Sequence, residues 1–149
     1  MDEPGLRRVA SASVRPRDVA IAACAASALV HAALVPAHYG AQPFAAVSFA
    51  AASAALLALA LALTRPTLQL APLGGAVLFA SLIVAYPVVH AFTGEGIDAL
   101  GIGTKLVEGV GLVASLLSIR DPETAIPPLD VITGVFIAMV LLSFGHHHA

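Results

Sequence analysis

The sequence predicts an all-α membrane protein, a bundle of about five transmembrane helices in one domain. Its composition is the first reason: 59% of the 149 residues are hydrophobic, only 11% are charged, and the mean hydropathy is +0.94. So few polar side chains cannot cover a water-soluble core. The second reason is that the apolar residues fall in runs of roughly 20, the length of a helix that crosses a bilayer.

The first two spans are predicted at residues 18–36 and 44–64. A polar, basic tail (1–17) precedes the first span, which consists mainly of Ala, Val and Leu. A cleaved signal peptide is the alternative, because a basic segment followed by an apolar run also fits one. The long apolar run and the lack of a small-residue cleavage site before Pro43 favour a span. The second span is almost entirely Ala, Leu, Phe and Val and stops at Arg65.

The third and fourth spans are predicted at residues 70–92 and 104–119. Pro87 lies late in the third span and predicts a kink in its last turn, because proline removes a backbone hydrogen bond. A glycine-rich linker (94–103) follows. The fourth span is the least hydrophobic, since a Lys and a Glu interrupt it.

A charged, proline-rich turn precedes the fifth predicted span, residues 129–144, which is short. The domain therefore covers 18–144, and residues 145–149 form a histidine-containing outer tail. Its three consecutive histidines suit either a native metal-binding tail or a purification tag.

The distribution of Lys and Arg predicts the orientation, because cytoplasmic loops carry the excess of these residues. With the N-terminus inside, only Lys105 of the seven Lys and Arg residues lies on the outer side. An odd number of spans then puts the C-terminus outside. We expect the plasma membrane of a prokaryote. The residues on the cytoplasmic side are Arg7, Arg8, Arg15, Arg17, Arg65 and Arg120.

The expected partners are the lipid bilayer and other membrane subunits or a second copy of the chain. The net charge of -2 and the seven Lys and Arg residues argue against nucleic-acid binding, which needs clustered positive charge. The single cysteine, Cys24, excludes an intrachain disulfide. Small residues at four-residue spacing predict faces for close helix packing: Ala22 with Ala26, and Ala51 with Ala55.

Under this topology the histidines and one glutamate gather near the outer face. His31 lies about five residues below the end of the first span, His90 in the outermost turn of the third, and Glu108 about one turn inside the fourth. His38 lies just beyond the boundary. An ionisable group inside the hydrocarbon is costly and indicates a functional site. Imidazoles and a carboxylate suit Zn, Cu or Fe, so we predict a metal site at His31, His38, His90 and Glu108.

Three alternatives remain open for the same residues. They could relay protons instead of holding a metal. Haem b could be held between His31 and His90, since axial imidazoles on two helices at one depth suit such ligation. The histidines could be interfacial anchors, with Lys105 pairing with Glu108 at i, i+3. The sequence contains no GxSxG, P-loop or Rossmann motif, and we do not expect an enzyme.

Two segments, ALVHAALVPAHYGAQPF at 28–44 and KLVEGVGLV at 105–113, resemble parts of uncharacterised small polytopic membrane proteins of bacteria. Those proteins share an H-x4-P-x-H first helix and a late helix that carries a Glu. The matching positions here are His31, Pro36, His38 and Glu108. The resemblance implies a helical membrane protein and no particular activity.

The leading functional hypothesis is a small, non-enzymatic membrane protein that binds a metal ion or relays protons at the outer face. The second is an accessory or assembly subunit of a larger membrane complex, supported by the small size and the Ala-rich faces. The third is a haem-b oxidoreductase.

Overall fold

The protein forms a bundle of four long helices over the residues that the structure describes. A computed structural model describes residues 14–93, 96 and 98–120. The helices are α1 (Pro16–His38), α2 (Pro43–Leu63), α3 (Ala71–Thr93) and α4 (Ala99–Arg120). Each is long and apolar enough to cross a membrane.

The prediction of an all-α protein with membrane-spanning helices is therefore confirmed for its first four spans. The predicted fifth span (129–144), the C-terminal tail and most of the N-terminal tail lie outside the described residues. The number of five spans, the orientation and the identity of the membrane stay predictions.

Two prolines lie at the starts of helices, and two others lie inside helices without ending them. Pro16 and Pro43 occupy the first turns of α1 and α2, where a missing backbone N–H costs nothing. Pro36 and Pro87 lie inside α1 and α3. α1 continues past the predicted end of the first span at Pro36, to His38, because a proline near a helix end removes only one hydrogen bond.

α4 begins at Ala99, before the predicted start of the fourth span at residue 104. The carboxylate of Asp98 accepts a hydrogen bond from the backbone N–H of Gly101 at 2.5 Å. This is the geometry of a helix N-cap, which satisfies one of the free N–H groups of the first turn. Gly101 and Gly103 thus belong to the helix and not to a linker.

Side-chain contacts show that neighbouring helices run antiparallel. Near the start of α1, Arg17 donates to the carbonyl of Leu63 at the end of α2. Halfway along, the hydroxyl of Ser53 donates to the carbonyl of Ala28 at 3.0 Å. α1 also packs against α4, and α4 against α3, whereas α2 and α3 share little contact.

The two ends of the bundle differ in charge. The arginine end carries the described arginines Arg15, Arg17, Arg65 and Arg120, which lie near the start of α1, in the α2–α3 loop and at the end of α4. The histidine end carries His38, His90 and Asp98. Grouping of the arginines at one end agrees with the predicted topology, although which end faces the cytoplasm is a prediction.

The half of the bundle nearer the arginine end is a tightly packed apolar core. Its members include Ala20, Cys24, Leu56, Leu63, Phe79 and Ala114. The four alanines at four-residue spacing that predicted packing faces are exposed on the described helices, so close packing of those faces stays a prediction. The buried face of α1 is instead the one that carries its polar residues Ser27 and His31, which the interior must shelter from lipid.

Candidate functional site

One carboxylate of the described residues lies in the interior of the bundle. Glu108, near the middle of α4, is 0% exposed. Its Oε1 accepts a hydrogen bond from the hydroxyl of Ser27 at 3.0 Å, and its Oε2 accepts one from the ammonium of Lys105 at 2.5 Å. The Nε2 atom of His31 lies 3.8 Å from Oε1. Four polar side chains from α1 and α4 therefore form one buried cluster, which we call the Glu108 cluster: Ser27, His31, Lys105 and Glu108.

The spacing of polar residues on two helices builds this cluster. In α4, Thr104, Glu108 and Ser115 are all buried and follow one another at four and seven residues. In α1, Ser27 and His31 are buried and four residues apart. Residues at such intervals share one face of a helix. These two half-polar faces therefore meet at the α1–α4 interface.

Lys105 makes the buried carboxylate tolerable. An ionised carboxylate without a partner costs many kcal/mol in an apolar interior, whereas a hydrogen-bonded pair of opposite charges is tolerated. The ammonium of Lys105 also donates to the carbonyl of Leu82 on α3 at 3.1 Å and lies 5.4 Å from the ring centre of Tyr86. The ion pair between Lys105 and Glu108 at i, i+3, which was predicted together with the role of interfacial anchors, is thus present. The two opposite charges of this pair cancel.

His31 has one nitrogen committed to the backbone and one facing the carboxylate. Its Nδ1 lies 2.8 Å from the carbonyl oxygen of Ser27. A carbonyl can only accept, so Nδ1 carries the hydrogen of the neutral ring. Nε2 is then the unprotonated nitrogen, and it is the one that faces Glu108. His31 itself is 5% exposed, and the edge of its ring contacts Phe49 on α2.

A cavity of about 260 Å³ leads from the histidine end towards the cluster. All four helices line it. This volume is large enough for several water molecules. It touches His31 and Lys105, but Glu108 lies behind them and does not line it. Among the described residues, the ionisable and phenolic groups on its walls are His31, His38, Tyr86, His90, Asp98 and Lys105.

The structure places the four residues of the predicted metal site at two levels. His31 and Glu108 adjoin each other in the interior. His38 and His90 line the cavity nearer its mouth, where His38 contacts the carbonyl of Leu34 at 2.9 Å and His90 packs against the ring of Tyr86. Within the described ranges, no three His, Cys, Asp or Glu side chains are grouped so that they could hold a metal. Metal binding and haem binding stay predictions.

Sequence reasoning missed Ser27, which holds both Glu108 and His31. The sequence does contain a pattern that points to it, because Ser27 lies four residues before His31 on the same face of α1. The sequence alone does not single out Ser27, since a serine hydroxyl can bond to its own helix and needs no partner in a membrane span. Which serine points at a carboxylate depends on the neighbouring helix.

Fold and site together define a class, a helical membrane-type protein with a buried, charge-paired carboxylate beside a histidine. No family model, curated protein or solved structure matches the chain. The resemblance of residues 28–44 and 105–113 to small bacterial membrane proteins stays a prediction, as does the role of accessory subunit. The function must be inferred from the geometry of the site.

Proposed function

We propose that this protein is a membrane-embedded proton-binding protein that takes up and releases a proton at His31. The proton arrives from the histidine end through the cavity and binds to Nε2, which faces Glu108. The proposal retains the proton-relay hypothesis for His31 and Glu108. His38, His90 and Asp98 lie along the route and hand protons to the interior.

One observation carries the proposal: His31 stands between the cavity and the carboxylate. Its Nδ1 is held by the carbonyl of Ser27 at 2.8 Å, so an incoming proton binds only to Nε2. That atom is 3.8 Å from Oε1 of Glu108, which is too far for a hydrogen bond. A small shift of the ring closes the gap when Nε2 gains a proton.

The charges of the cluster favour a switch over a permanent ion pair. Lys105 and Glu108 already cancel each other, so neutral His31 leaves the cluster uncharged. Protonation of His31 adds one positive charge, which the carboxylate stabilises through a charge-assisted hydrogen bond. The interior opposes that charge because burial disfavours an ion. These opposing effects let the proton bind and leave again.

Other titratable groups face the cavity and must be separated from His31 in any measurement. α2 contributes none, since Pro43–Leu63 contains no ionisable side chain. α3 contributes Tyr86 and His90, and Asp98 precedes α4. His38 lies on the same helix as His31 and also has its Nδ1 near a carbonyl four residues earlier, at 2.9 Å. It is therefore a matched control that has no carboxylate partner among the described residues.

The test is a pH titration of the full chain in lipid bilayers, with ¹⁵N-labelled histidine and assignment of His31 by its absence in H31Q. We expect the Nε2 signal of His31 to move from the unprotonated to the protonated position on acidification while Nδ1 stays protonated. In E108Q this proton uptake should be lost over the same pH range, since the carboxylate is gone. H38Q should leave the pH of this uptake unchanged, because a group along the route affects how fast the proton arrives and not the equilibrium at His31.

Two results would contradict the proposal. One is an Nε2 signal of His31 that does not respond to pH in the wild-type chain. The other is a response that is the same in E108Q, which would mean that the carboxylate plays no part in proton binding.

A further inference from the structure

The polar face of α4 continues past Glu108 towards the arginine end. Ser115 lies seven residues further on, or about 10 Å at ~1.5 Å per residue. Ser118 follows one turn later, and both are buried. Thr104, Glu108, Ser115 and Ser118 thus form a buried polar row along most of the helix. Only Gly111 interrupts the row between the carboxylate and Ser115.

Phe79 of α3 fills this interruption. It is the largest fully buried side chain of the described residues. Its ring lies so close to Gly111 that a methyl group there would overlap it. The α3–α4 interface therefore places an aromatic ring across the polar row, between the cavity side and the arginine side. The ring can lie there only because residue 111 has no side chain.

Beyond the ring lies a hydroxyl that makes no hydrogen bond to any described residue. Ser115 is 0% exposed, and its Oγ finds no hydrogen-bond partner among the described residues. The hydroxyl points towards Gly75 of α3, where a Cβ atom would lie 2.6 Å away. An unpaired buried hydroxyl is costly, typically by about 1–3 kcal/mol. Ser118, in contrast, bonds to the carbonyl of Ala114.

We infer that Phe79 is a hydrophobic gate and that the protein passes protons across the whole bundle when this ring leaves Gly111. Movement of the ring opens a path from Glu108 to the Ser115 hydroxyl, which then pairs with the water that enters. With the ring in place, proton exchange is limited to the histidine end. The inference rests on the proposed proton uptake at the Glu108 cluster and adds transmembrane transfer to it.

The test measures proton flux in liposomes that contain the full chain, a pH gradient and an entrapped pH-sensitive dye. In F79A we expect the flux to rise by about tenfold or more, which corresponds to a barrier lowered by about 1.4 kcal/mol. F79L keeps an apolar side chain over Gly111 and should behave as the wild type. The double variant F79A/E108Q should lose the increase, since protons reach the gate through the carboxylate.

Two further variants separate a gate from a general leak. L63A removes a buried side chain nearer the arginine end, away from Gly111, and should not raise the flux. G111A displaces the ring of Phe79 without removing it and should also raise the flux. It therefore tests the gate even if F79A does not fold.

A folded F79A or G111A with wild-type flux would overturn the gate, as would an increase that survives in F79A/E108Q. If His31 still takes up its proton in the ¹⁵N titration, only the gate is wrong. If His31 takes up no proton in the wild-type chain, the proposed function itself fails.

Discussion

Lys105→Met tests whether the buried carboxylate of Glu108 depends on its cation. The substitution keeps most of the apolar stem of the side chain but removes the ammonium that donates to Oε2. Glu108 then keeps the hydroxyl of Ser27 and a neutral His31, and neither supplies a charge. A carboxylate in this position becomes protonated or destabilises the fold.

The expected loss follows from the burial of the pair. Removing one partner of a buried ion pair costs about 3–5 kcal/mol. Protonation of the carboxylate limits this cost, because it removes the unpaired charge. We therefore expect K105M to be about 3–5 kcal/mol less stable than the wild type at pH 7.

The assay combines denaturant unfolding in detergent micelles with infrared spectroscopy. K105M should show the C=O stretching band of a buried carboxylic acid, and that band should be absent in K105M/E108Q. The double variant removes both charges and should recover most of the lost stability, because neutral replacement of a buried pair is often nearly neutral. K105R keeps the charge and serves as the control. Loss of less than about 1 kcal/mol in K105M, with no acid band, would refute the reasoning.

Two further predictions concern the helix contacts that hold the bundle together. Ser53→Ala should lower the free energy of unfolding by about 1 kcal/mol, since a buried bond to α1 is lost, whereas Ser48→Ala, whose hydroxyl bonds only to its own helix, should change little. Arg17→Met should cost about 1.5–3 kcal/mol, because its guanidinium donates to Leu63 and to a second carbonyl in the α2–α3 loop. Exposed Arg15→Met is the control. Equal losses within either pair in detergent unfolding would contradict these roles.

The four described spans were predictable because lipid imposes a simple rule. A helix that crosses it must be long and apolar, so composition and run length are enough to locate it. The limits of the helices were less predictable. Pro36 suggests an end but lies inside α1, and the start of α4 depends on the carboxylate of Asp98, whose capping role is a matter of local geometry.

The Glu108 cluster was predictable in part. The shared depth of His31 and Glu108 follows from counting residues along antiparallel helices, and the structure brings these two side chains together. Which other residues contact them depends on how each helix is rotated about its axis. An Ala-rich sequence hardly determines that rotation, because every face of such a helix can pack. Ser27 and the ring of Phe79 on Gly111 therefore emerge only from the packed structure.

The central claim is that Nε2 of His31 faces the carboxylate of Glu108 inside the bundle. Its most direct test is a solid-state NMR dipolar-recoupling measurement between ¹⁵Nε2 of His31 and the ¹³C carboxyl carbon of Glu108 in lipid bilayers. We predict clear dephasing, in keeping with the 3.8 Å between Nε2 and Oε1, and a stronger effect at low pH as the protonated ring moves closer. Absence of dephasing at every pH would contradict the claim.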